Sequence, residues 1–256
     1  MICAVNIGNT HIVIGLKKNN CLVKIERYKT TFFCNYRGER VLSRFFKDIN
    51  SLDIEYIILT SVAPNLNNIV CEELFYFTKS VPIILDNEYF KSIKFNFESY
   101  AEKQIGTDRL VVSYYASKMY ELPAVIIDFG TAITLNIIGY SGEFLGGAII
   151  PGIFIWMDSL CKNTILLPDT IQLVKPISYI GHSTSECISV GILHGISSLV
   201  DGLVIKFESQ VGYFKSIIAT GGGAEIILPY CKRNILYKKE LLLEGIFYIY
   251  ETELNN

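Results

Sequence analysis

Short apolar runs that end in a polar residue and lead into glycine-containing turns open the chain. Residues 2–6 are apolar as far as Asn6 and lead into a Gly–Asn–Thr turn, and residues 11–16 form a second apolar run. Residues 21–28 then alternate apolar side chains with polar or charged ones, which is the two-residue period of a strand with one exposed face. The pattern predicts three antiparallel strands joined by tight turns.

The same arrangement returns at close to half the length of the chain. Residues 124–128 are an apolar run that ends at Asp128, a Gly–Thr turn follows, and residues 132–138 and 144–149 are predicted as the next two strands. Asn6 and Asp128 therefore close equivalent strands, which indicates an internal duplication and two similar lobes. A chance likeness between two hairpin turns is the alternative, because Gly, Asn and Thr are common turn residues.

Helical and strand patterns alternate in the rest of the chain. Helical spacing of apolar residues covers 39–49, 69–78, 108–120, 153–162 and 183–210, and short apolar runs that indicate strands cover 55–62, 81–85 and 216–219. Strands that alternate with helices predict an α/β protein. Because no low-complexity segment or long linker separates the halves, we place the two lobes at residues 1–120 and 121–256.

Composition and charge narrow the class of protein. Of the 256 residues, 50% are hydrophobic and 19% are charged, which allows a large core and excludes disorder for most of the chain. Lys and Arg number 23 against 25 Asp and Glu, so the basic excess of a nucleic-acid-binding protein is missing and we expect no nucleic-acid partner. Seven scattered cysteines without a Cys-x-x-Cys pair indicate neither a zinc site nor a disulfide framework.

The first residues of the chain and its most apolar stretch indicate where in the cell the protein is expected. The first ten residues lack the basic segment that begins a signal peptide. Residues 146–157, taken as the most apolar stretch, contain Pro151 and fall short of the roughly 20 residues that a membrane-spanning helix needs. We therefore expect a cytoplasmic protein without a membrane partner, with its cysteines in a reducing compartment.

Three turns that follow predicted strands are candidate phosphate sites: residues 8–10, 130–131 and 220–223. Glycine lets backbone N–H groups approach an anion closely, and threonine adds a hydroxyl donor. Two matched hairpin turns and a late glycine-rich turn resemble the pattern of the actin-like ATPase and sugar-kinase superfamily. The chain contains neither the Walker A pattern nor Gly-x-Gly-x-x-Gly, which argues against P-loop and Rossmann nucleotide sites.

Short segments along essentially the whole chain make it similar to the type III pantothenate kinases. They are Gly8-Asn9-Thr10, Ser61-Val62 with Pro64, Gly106-Thr107-Asp108-Arg109, Asp128 to Ala132, Gly146-Gly147 with Pro151-Gly152, Lys175-Pro176, Gly181 to Thr184, Gly191, and Ala219 to Gly222. Each segment is common by itself, and their order and spacing make the resemblance specific.

The resemblance implies a fold, a reaction and partners. The fold is α/β, with two ribonuclease-H-like (actin-like ATPase) lobes, mixed sheets each led by an antiparallel hairpin, and a cleft between the lobes. The reaction is ATP-dependent phosphorylation of pantothenate to 4′-phosphopantothenate, the first step of coenzyme A biosynthesis. Mg²⁺ and a monovalent cation, K⁺ or NH4⁺, are the implied cofactors beside ATP. Members of the family form homodimers, so the resemblance implies a homodimer here. The apolar helix face over residues 193–204 is a candidate dimer contact, and burial in the core of one subunit explains its apolar pattern equally well.

The resemblance also assigns site residues. Asp108 corresponds to the family's proton acceptor, with a helix N-cap as the alternative, and Asp128 corresponds to a ligand of the monovalent cation, with an Asx-type turn stabiliser as the alternative. ATP and phosphate contacts are assigned to Asn6, Ile7, Gly8, Asn9, Thr10, His11, Gly130, Thr131, Gly221 and Gly222. Pantothenate contacts are assigned to Tyr100, Gly106, Thr107, Asp108, Arg109 and Thr184; the alternative for Thr184 is a helix N-cap.

Asn6 departs from the family pattern, which has an aspartate at this position. Hard divalent cations prefer charged oxygen ligands, so Asn6 predicts a weakened Mg²⁺–phosphate contact. A catalytically weakened or inactive family member that acts as a ligand-binding or regulatory protein is therefore the alternative function. A related kinase for another small hydroxyl substrate is a third interpretation.

Overall fold

The computed structural model describes residues 1–34, 40–97, 105–168 and 170–255. The chain forms two compact units: Met1–Tyr115 together with Leu241–Asn256, and Ala116–Glu240. Each unit is built on one five-stranded sheet. The sequence places a lobe boundary between residues 120 and 121, whereas the structure divides inside a helix a few residues earlier and returns the C-terminal segment to the first unit.

The first unit contains a mixed sheet in the order β3-β2-β1-β4-β5. Its strands are β1 (Ile2–Ile7), β2 (His11–Lys18), β3 (Cys21–Lys29), β4 (Tyr56–Ser61) and β5 (Ile83–Ile84). β1 lies at the centre, antiparallel to β2 and parallel to β4, and its apolar residues from Cys3 to Ile7 are fully buried, as is typical of a central strand. The predicted hairpin strands and the strand predicted over 55–62 are confirmed, and the strand predicted over 81–85 shortens to two residues.

In the first unit the helices predicted over 69–78 and 108–120 are confirmed, and the helix predicted over 39–49 is shorter than expected. The helices of this unit are α1 (Thr30–Cys34), α2 (Ser43–Phe46), α3 (Asn67–Thr78), α4 (Asn87–Ser92) and α5 (Thr107–Met119), with 3-10 turns at Ser51–Asp53 and Pro64–Leu66. The helix predicted over 39–49 is wrong in its length. The buried carboxylate of Glu73 accepts hydrogen bonds from the backbone N–H groups of Val41 and Leu42, so the regular helix begins only after them.

The second unit contains another mixed sheet, in the order β10-β9-β6-β7-β8. Its strands are β6 (Ala124–Phe129), β7 (Ala132–Ile138), β8 (Phe144–Pro151), β9 (Ser216–Thr220) and β10 (Leu236–Tyr237). β6 is antiparallel to β7 and parallel to β9. The three strands predicted from residue 124 onward and the strand predicted over 216–219 are confirmed.

Helices of the second unit are α6 (Ile153–Asn163), α7 (Thr184–Val211) and α8 (Ala224–Ile227), followed by a 3-10 turn at Leu228–Tyr230. α7 is a single continuous helix. Within the described ranges it is the one helix that is long and apolar enough to cross a membrane, and half of its apolar window is buried inside the structure. Burial on this scale is typical of a core helix, and the sequence analysis overlooked this stretch in favour of residues 146–157.

The apolar face of α7 belongs to the core of the second unit. Leu193, Ile196, Val200 and Val204 are buried and cluster with β6 and β7. The candidate dimer contact over residues 193–204 is therefore wrong, and ordinary core burial explains its apolar pattern.

The C-terminal helix α9 (Leu241–Ile249) completes the first unit and continues into a π-helical turn, Tyr250–Leu254. Leu241, Leu243 and Ile246 are buried. A Cβ on Gly15 of β2 would lie 2.9 Å from Leu243 Cδ1, so the helix packs directly onto the sheet. This contact places residues 241–256 with the first sheet rather than with the second lobe.

The two sheets repeat one topology. Counted from the first strand of each set, both have the order 3-2-1-4-5. Asn6 and Asp128 each occupy the fifth position of the central strand, and each lies across from a threonine of the parallel neighbour, Thr60 in β4 and Thr220 in β9. The predicted duplication is confirmed, because chance likeness between two turns does not reproduce strand order and register.

Candidate active site

The turn between β1 and β2 exposes Asn9, Thr10 and His11. Gly8 donates its backbone N–H to the carbonyl oxygen of His11 at 3.0 Å, which closes the turn. A Cβ on Gly8 would lie 2.8 Å from the same oxygen, so this position requires glycine. The Gly8 N–H is already hydrogen-bonded to His11, so an anion bound at this turn would contact the exposed Asn9, Thr10 and His11 instead.

Thr30, the first residue of α1, holds this turn in place. Its backbone N–H donates to the Thr10 carbonyl oxygen at 3.0 Å, and its hydroxyl lies 3.0 Å from the Asn9 carbonyl oxygen and 3.2 Å from that of Thr10. Thr30 is buried, so water does not compete for these bonds. Thr30 is not among the predicted site residues, because no local sequence pattern links it to a turn 21 residues earlier.

Asn6 carries a buried side-chain oxygen that has no hydrogen-bond partner among the described residues, and Asn6 is 8% exposed. An unsatisfied buried oxygen is unfavourable, and a donor or cation brought by a ligand would satisfy it. Ile7, the next residue, is fully buried. Its side chain belongs to the core, so only its backbone is available to a nucleotide.

The segment from Gly106 to Arg109 forms the start of α5. The Gly106 carbonyl oxygen accepts hydrogen bonds from the backbone N–H groups of Arg109 at 3.0 Å and Leu110 at 3.2 Å. The Asp108 carboxylate accepts a further bond from the Arg109 N–H at 2.7 Å. A Cβ on Gly106 would lie 2.8 Å from Asp108 Oδ1, so glycine at this position leaves room for the carboxylate.

Thr107 connects this helix start to the end of β4. Its hydroxyl donates to the Ser61 carbonyl oxygen at 3.0 Å and accepts from the Thr60 hydroxyl at 2.6 Å and the Ser61 N–H at 3.2 Å. Thr60 and Thr107 are both buried. Thr107 is a predicted site residue and Thr60 is not, because Thr60 bonds a residue 47 positions away that only the fold brings close.

Burial raises the pKa of Asp108 above the ordinary value of a carboxyl group. The hydrogen bond from the Arg109 N–H and the charge of Arg109 oppose this shift without cancelling it. A carboxylate with a raised pKa is a stronger base than an ordinary aspartate, as proton abstraction requires. The N-cap alternative for Asp108 is wrong, because Asp108 lies inside α5, one residue after its first residue Thr107.

In the second unit, the turns after β6 and β9 pack against each other. Gly223 donates its N–H to the Phe129 carbonyl oxygen at 2.9 Å. Gly221 has φ +89°, and a Cβ there would lie 2.3 Å from Asp128 Oδ1, so only glycine fits. The residues brought to this edge of the second sheet are Asp128, Gly130, Thr131, Gly221 and Gly222.

The turn after β6 is also supported by the end of β8. The Thr131 carbonyl oxygen accepts a hydrogen bond from the Gly152 N–H at 3.0 Å, and a Cβ on Gly152 would lie 2.2 Å from that oxygen. Thr131 is exposed, and Asp128 is half-buried. At this edge of its sheet, the second unit thus presents the Asp128 carboxylate and the Thr131 side chain beside turns in which glycines allow the backbone segments to pack closely together.

No group of three or more His, Cys, Asp and Glu side chains in the described parts of the chain could hold a metal ion. A cation at Asn6 or at Asp128 would therefore need further oxygen atoms from backbone, water or a bound phosphate. The orphaned oxygen of Asn6 in the first unit and the half-buried carboxylate of Asp128 in the second are each an oxygen atom of the kind that such cations accept as a ligand.

Thr184 is exposed at the first position of α7. The N-cap of this helix is Ser183, whose hydroxyl accepts a hydrogen bond from the Glu186 N–H at 3.3 Å. The Glu186 carboxylate in turn accepts from the His182 N–H at 2.7 Å. The N-cap alternative for Thr184 is therefore wrong. Tyr100 lies outside the described residues.

Comparison with known proteins adds two findings. The model of the type III pantothenate kinase family matches residues 2–206. The type III pantothenate kinase of Thermosipho africanus is 33% identical over 256 residues, covering 98% of this chain and 99% of that protein.

Solved structures agree with the fold. A Campylobacter jejuni protein named for the Baf family of transcriptional activators has a TM-score of 0.62 at 20% identity, covering 99% of this chain and 100% of that one. The inorganic polyphosphate/ATP-glucomannokinase of Arthrobacter sp. strain KM has a TM-score of 0.52 at 12% identity, covering 100% and 99%. The predicted actin-like ATPase and sugar-kinase fold is confirmed, and the chain belongs to the type III pantothenate kinase family.

Proposed function

We propose that this protein transfers the γ-phosphoryl group of ATP to the hydroxyl of pantothenate and releases ADP and 4′-phosphopantothenate, the first step of coenzyme A biosynthesis. The observation that carries the proposal is the environment of Asp108. Its carboxylate lies at the start of helix α5, accepts a hydrogen bond from the Arg109 N–H and has a raised pKa, in a chain that belongs to this kinase family. We assign this reaction to the cytoplasm.

Asp108 takes the proton of the pantothenate hydroxyl. The hydroxyl oxygen forms a bond to the γ-phosphorus, the bond from that phosphorus to the β–γ bridging oxygen breaks, and ADP leaves. Arg109 is buried beside Asp108, and we assign its charge to the substrate's carboxylate. Gly106, Thr184 and Tyr100 complete the proposed pantothenate set, together with the backbone of Thr107, whose hydroxyl is bonded inside the protein.

Two groups of turns hold the ATP phosphates in this proposal. The first contains Asn6 to His11, and the second contains Gly130, Thr131, Gly221 and Gly222. Their support is the exposure of Asn9, Thr10, His11, Thr131 and Gly222, together with glycines that bring the backbone close.

Mg²⁺ and a monovalent cation are the proposed cofactors beside ATP. Bound Mg²⁺ neutralises phosphate charge, and Asn6 offers it a buried neutral oxygen, directly or through water. Asp128 offers a carboxylate to K⁺ or NH4⁺. A neutral amide supplies less attraction than a carboxylate, so we expect a higher KM for MgATP than in relatives that carry aspartate.

A homodimer is the proposed assembly. The loop between α6 and α7 exposes large apolar side chains: Ile165 (100%), Leu166 (95%), Ile177 (100%), Tyr179 (78%) and Ile180 (70%). Apolar exposure on this scale marks a protein contact. Leu166→Asp combined with Ile177→Asp should convert a dimer to a monomer in sedimentation velocity; a parent that sediments as a monomer contradicts this assignment.

The test of function is product formation. Purified protein with ATP, Mg²⁺ and pantothenate should release ADP and yield phosphopantothenate by mass spectrometry, faster in K⁺ or NH4⁺ than in Na⁺ or choline. Asp108→Asn should remove the activity, and Asp48→Asn, at an exposed carboxylate, should keep it. No product from the folded parent at saturating ATP and pantothenate would falsify the proposal.

A further inference from the structure

The hydroxyl of Thr107 has its full set of hydrogen bonds inside the protein. A hydroxyl has one donor hydrogen and two acceptor lone pairs. Thr107 donates to the Ser61 carbonyl oxygen at 3.0 Å and accepts from Thr60 at 2.6 Å and from the Ser61 N–H at 3.2 Å. No capacity remains for a substrate, and Thr107 is only 8% exposed.

These bonds fix the residue that precedes Asp108. Thr107 is the first residue of α5, and its side chain joins the helix to the last residues of β4. The Gly106 carbonyl and the Arg109 N–H close the first turn of α5, and two hydrogen bonds join Ile105, just before the helix, to the side chain of Asn87 in α4. Among the side-chain hydrogen bonds described at this helix start, those of the Thr107 hydroxyl join it to β4, so the position of Asp108 relative to this strand depends on them.

We propose that Thr60 and Thr107 form a buried hydroxyl pair that positions Asp108, and that the Thr107 side chain acts through Asp108 rather than by touching pantothenate. The inference rests on the proposed role of Asp108 as proton acceptor. Thr60, which is fully buried, supplies the donor that fills one lone pair of Thr107. The pair connects the end of β4 to the base without reaching the ligand.

The proposal predicts a change in kcat rather than in pantothenate KM. Thr107→Val keeps the shape of the side chain and removes all three bonds, so the helix start loosens. Displacement of a catalytic group by about 1 Å lowers the rate on the order of 100-fold. We expect kcat to fall about 10- to 100-fold, with pantothenate KM within about threefold. Thr107→Ser restores the hydroxyl and should recover most of the rate.

The pH profile separates positioning from general loss of structure. Burial raises the pKa of Asp108, and a loosened helix start admits water. The pKa of Asp108 should then fall, and the acid limb of kcat/KM in Thr107→Val should move to lower pH. Thr78→Val is the matched control: Thr78 is a buried threonine of the same unit whose hydroxyl bonds the Leu74 carbonyl oxygen at 2.8 Å within α3. It should lose stability without a change in kcat or pH profile.

A second measurement does not depend on turnover. Carboxyl titration of Asp108 by ¹³C NMR, with amide exchange at Arg109 and Leu110, should show a lowered pKa and faster exchange in Thr107→Val but not in Thr78→Val. Thr60→Val, which leaves Thr107 its bonds to Ser61, should give a smaller change and serves if Thr107→Val does not fold. If the parent does not phosphorylate pantothenate, the proposed function fails and this measurement alone decides the positioning role.

Three results would overturn the inference. One is a raised pantothenate KM with unchanged kcat in Thr107→Val, which indicates a substrate contact. Another is an equal loss of kcat in Thr78→Val, which indicates general destabilisation. The third is an unchanged Asp108 pKa and unchanged amide exchange in Thr107→Val.

Discussion

Asn6 lies directly across from Thr60 in the parallel pairing of β1 with β4. The two polar side chains differ in how their hydrogen-bonding capacity is used. The Thr60 hydroxyl is hydrogen-bonded to Thr107, whereas the buried side-chain oxygen of Asn6 has no partner in the part of the chain that the structure describes. The end of β4 therefore holds helix α5, and the end of β1 carries an oxygen that a bound ligand would satisfy.

Asn6→Asp tests the ligand side of this arrangement. The new carboxylate should tighten MgATP binding by about 1–3 kcal/mol, or roughly five- to 150-fold, because a charged acceptor attracts a cation more strongly than an amide does. Steady-state kinetics with varied MgATP measure the change as a higher kcat/KM. A fall in kcat/KM contradicts this expectation and indicates surroundings adapted to a neutral side chain.

Without ligand, the same substitution should lower stability in a pH-dependent way. Burial raises the pKa of the new carboxyl group, so stability matches the parent below the carboxyl pKa of the unfolded chain and is lost as pH rises through the folded-state pKa. Thermal unfolding at several pH values measures this. Asn136→Asp, at another fully buried asparagine, should lose stability without any gain in MgATP affinity.

Asp108→Asn should separate activity from stability. Removal of the base should lower kcat about 10²- to 10⁴-fold. Because burial raises the pKa of Asp108, the ionised carboxylate destabilises the folded state, and that effect grows as pH rises through the folded-state pKa. The amide should therefore raise Tm near neutral pH and leave it unchanged in acid. A lower Tm at neutral pH would instead assign Asp108 to the support of the helix.

Gly221→Ala and Gly222→Ala should differ in stability although the residues are adjacent. A Cβ at position 221 meets Asp128 Oδ1 at 2.3 Å and backbone of Phe129 at 2.6 Å, in a conformation with φ +89°, whereas a Cβ at position 222 meets nothing within 4 Å. We expect Gly221→Ala to lower stability by about 2 kcal/mol or more and Gly222→Ala by less than about 0.5 kcal/mol. Urea unfolding measures both, and equal losses would contradict the packing of this turn on Asp128.

Gly245→Ala tests the packing of α9 on α5. A Cβ at Gly245 would lie 2.8 Å from Val111 Cγ1 and 3.2 Å from Tyr115 Cβ, so the added methyl should separate the helices and lower stability by about 1–3 kcal/mol. Gly202 in α7 has nothing within 4 Å of its own Cβ position. Gly202→Ala should therefore raise stability by about 0.5–1 kcal/mol, because alanine favours helix. The same sign for both variants would refute this account.

Strand hairpins and long helices could be predicted because local pattern determines them. The runs that became β1, β2, β6 and β7 are short apolar stretches bounded by turn residues, and α3 shows the helical spacing of apolar residues. The length of the short helix α2 could not be predicted, because the residues just before it donate their backbone N–H groups to Glu73, which lies in helix α3. α9 was missed although residues 241–249 are strongly apolar, since its packing partner Gly15 lies at the other end of the chain.

Site residues were predictable where a motif marks them and not where support comes from elsewhere. Asp108 and Asp128 stand in recognisable segments, and the structure gives each a specific environment. Thr30 and Thr60 have no such segment around them, and their roles come from hydrogen bonds between residues far apart in the chain. The position of Thr60 across from Asn6 follows from the strand register only once β1 and β4 are known to be parallel neighbours.

The return of α9 to the first sheet has a consequence for synthesis on the ribosome. Strands β1 and β2 emerge before the second unit, but the helix that covers Gly15 with Leu243 is translated only after it. The nascent first unit must therefore wait, with this apolar face uncovered by its own chain, until the second unit has been translated. A message truncated before codon 241 would thus yield a product whose first sheet never acquires this cover, and such a product is a natural target for chaperones and proteases.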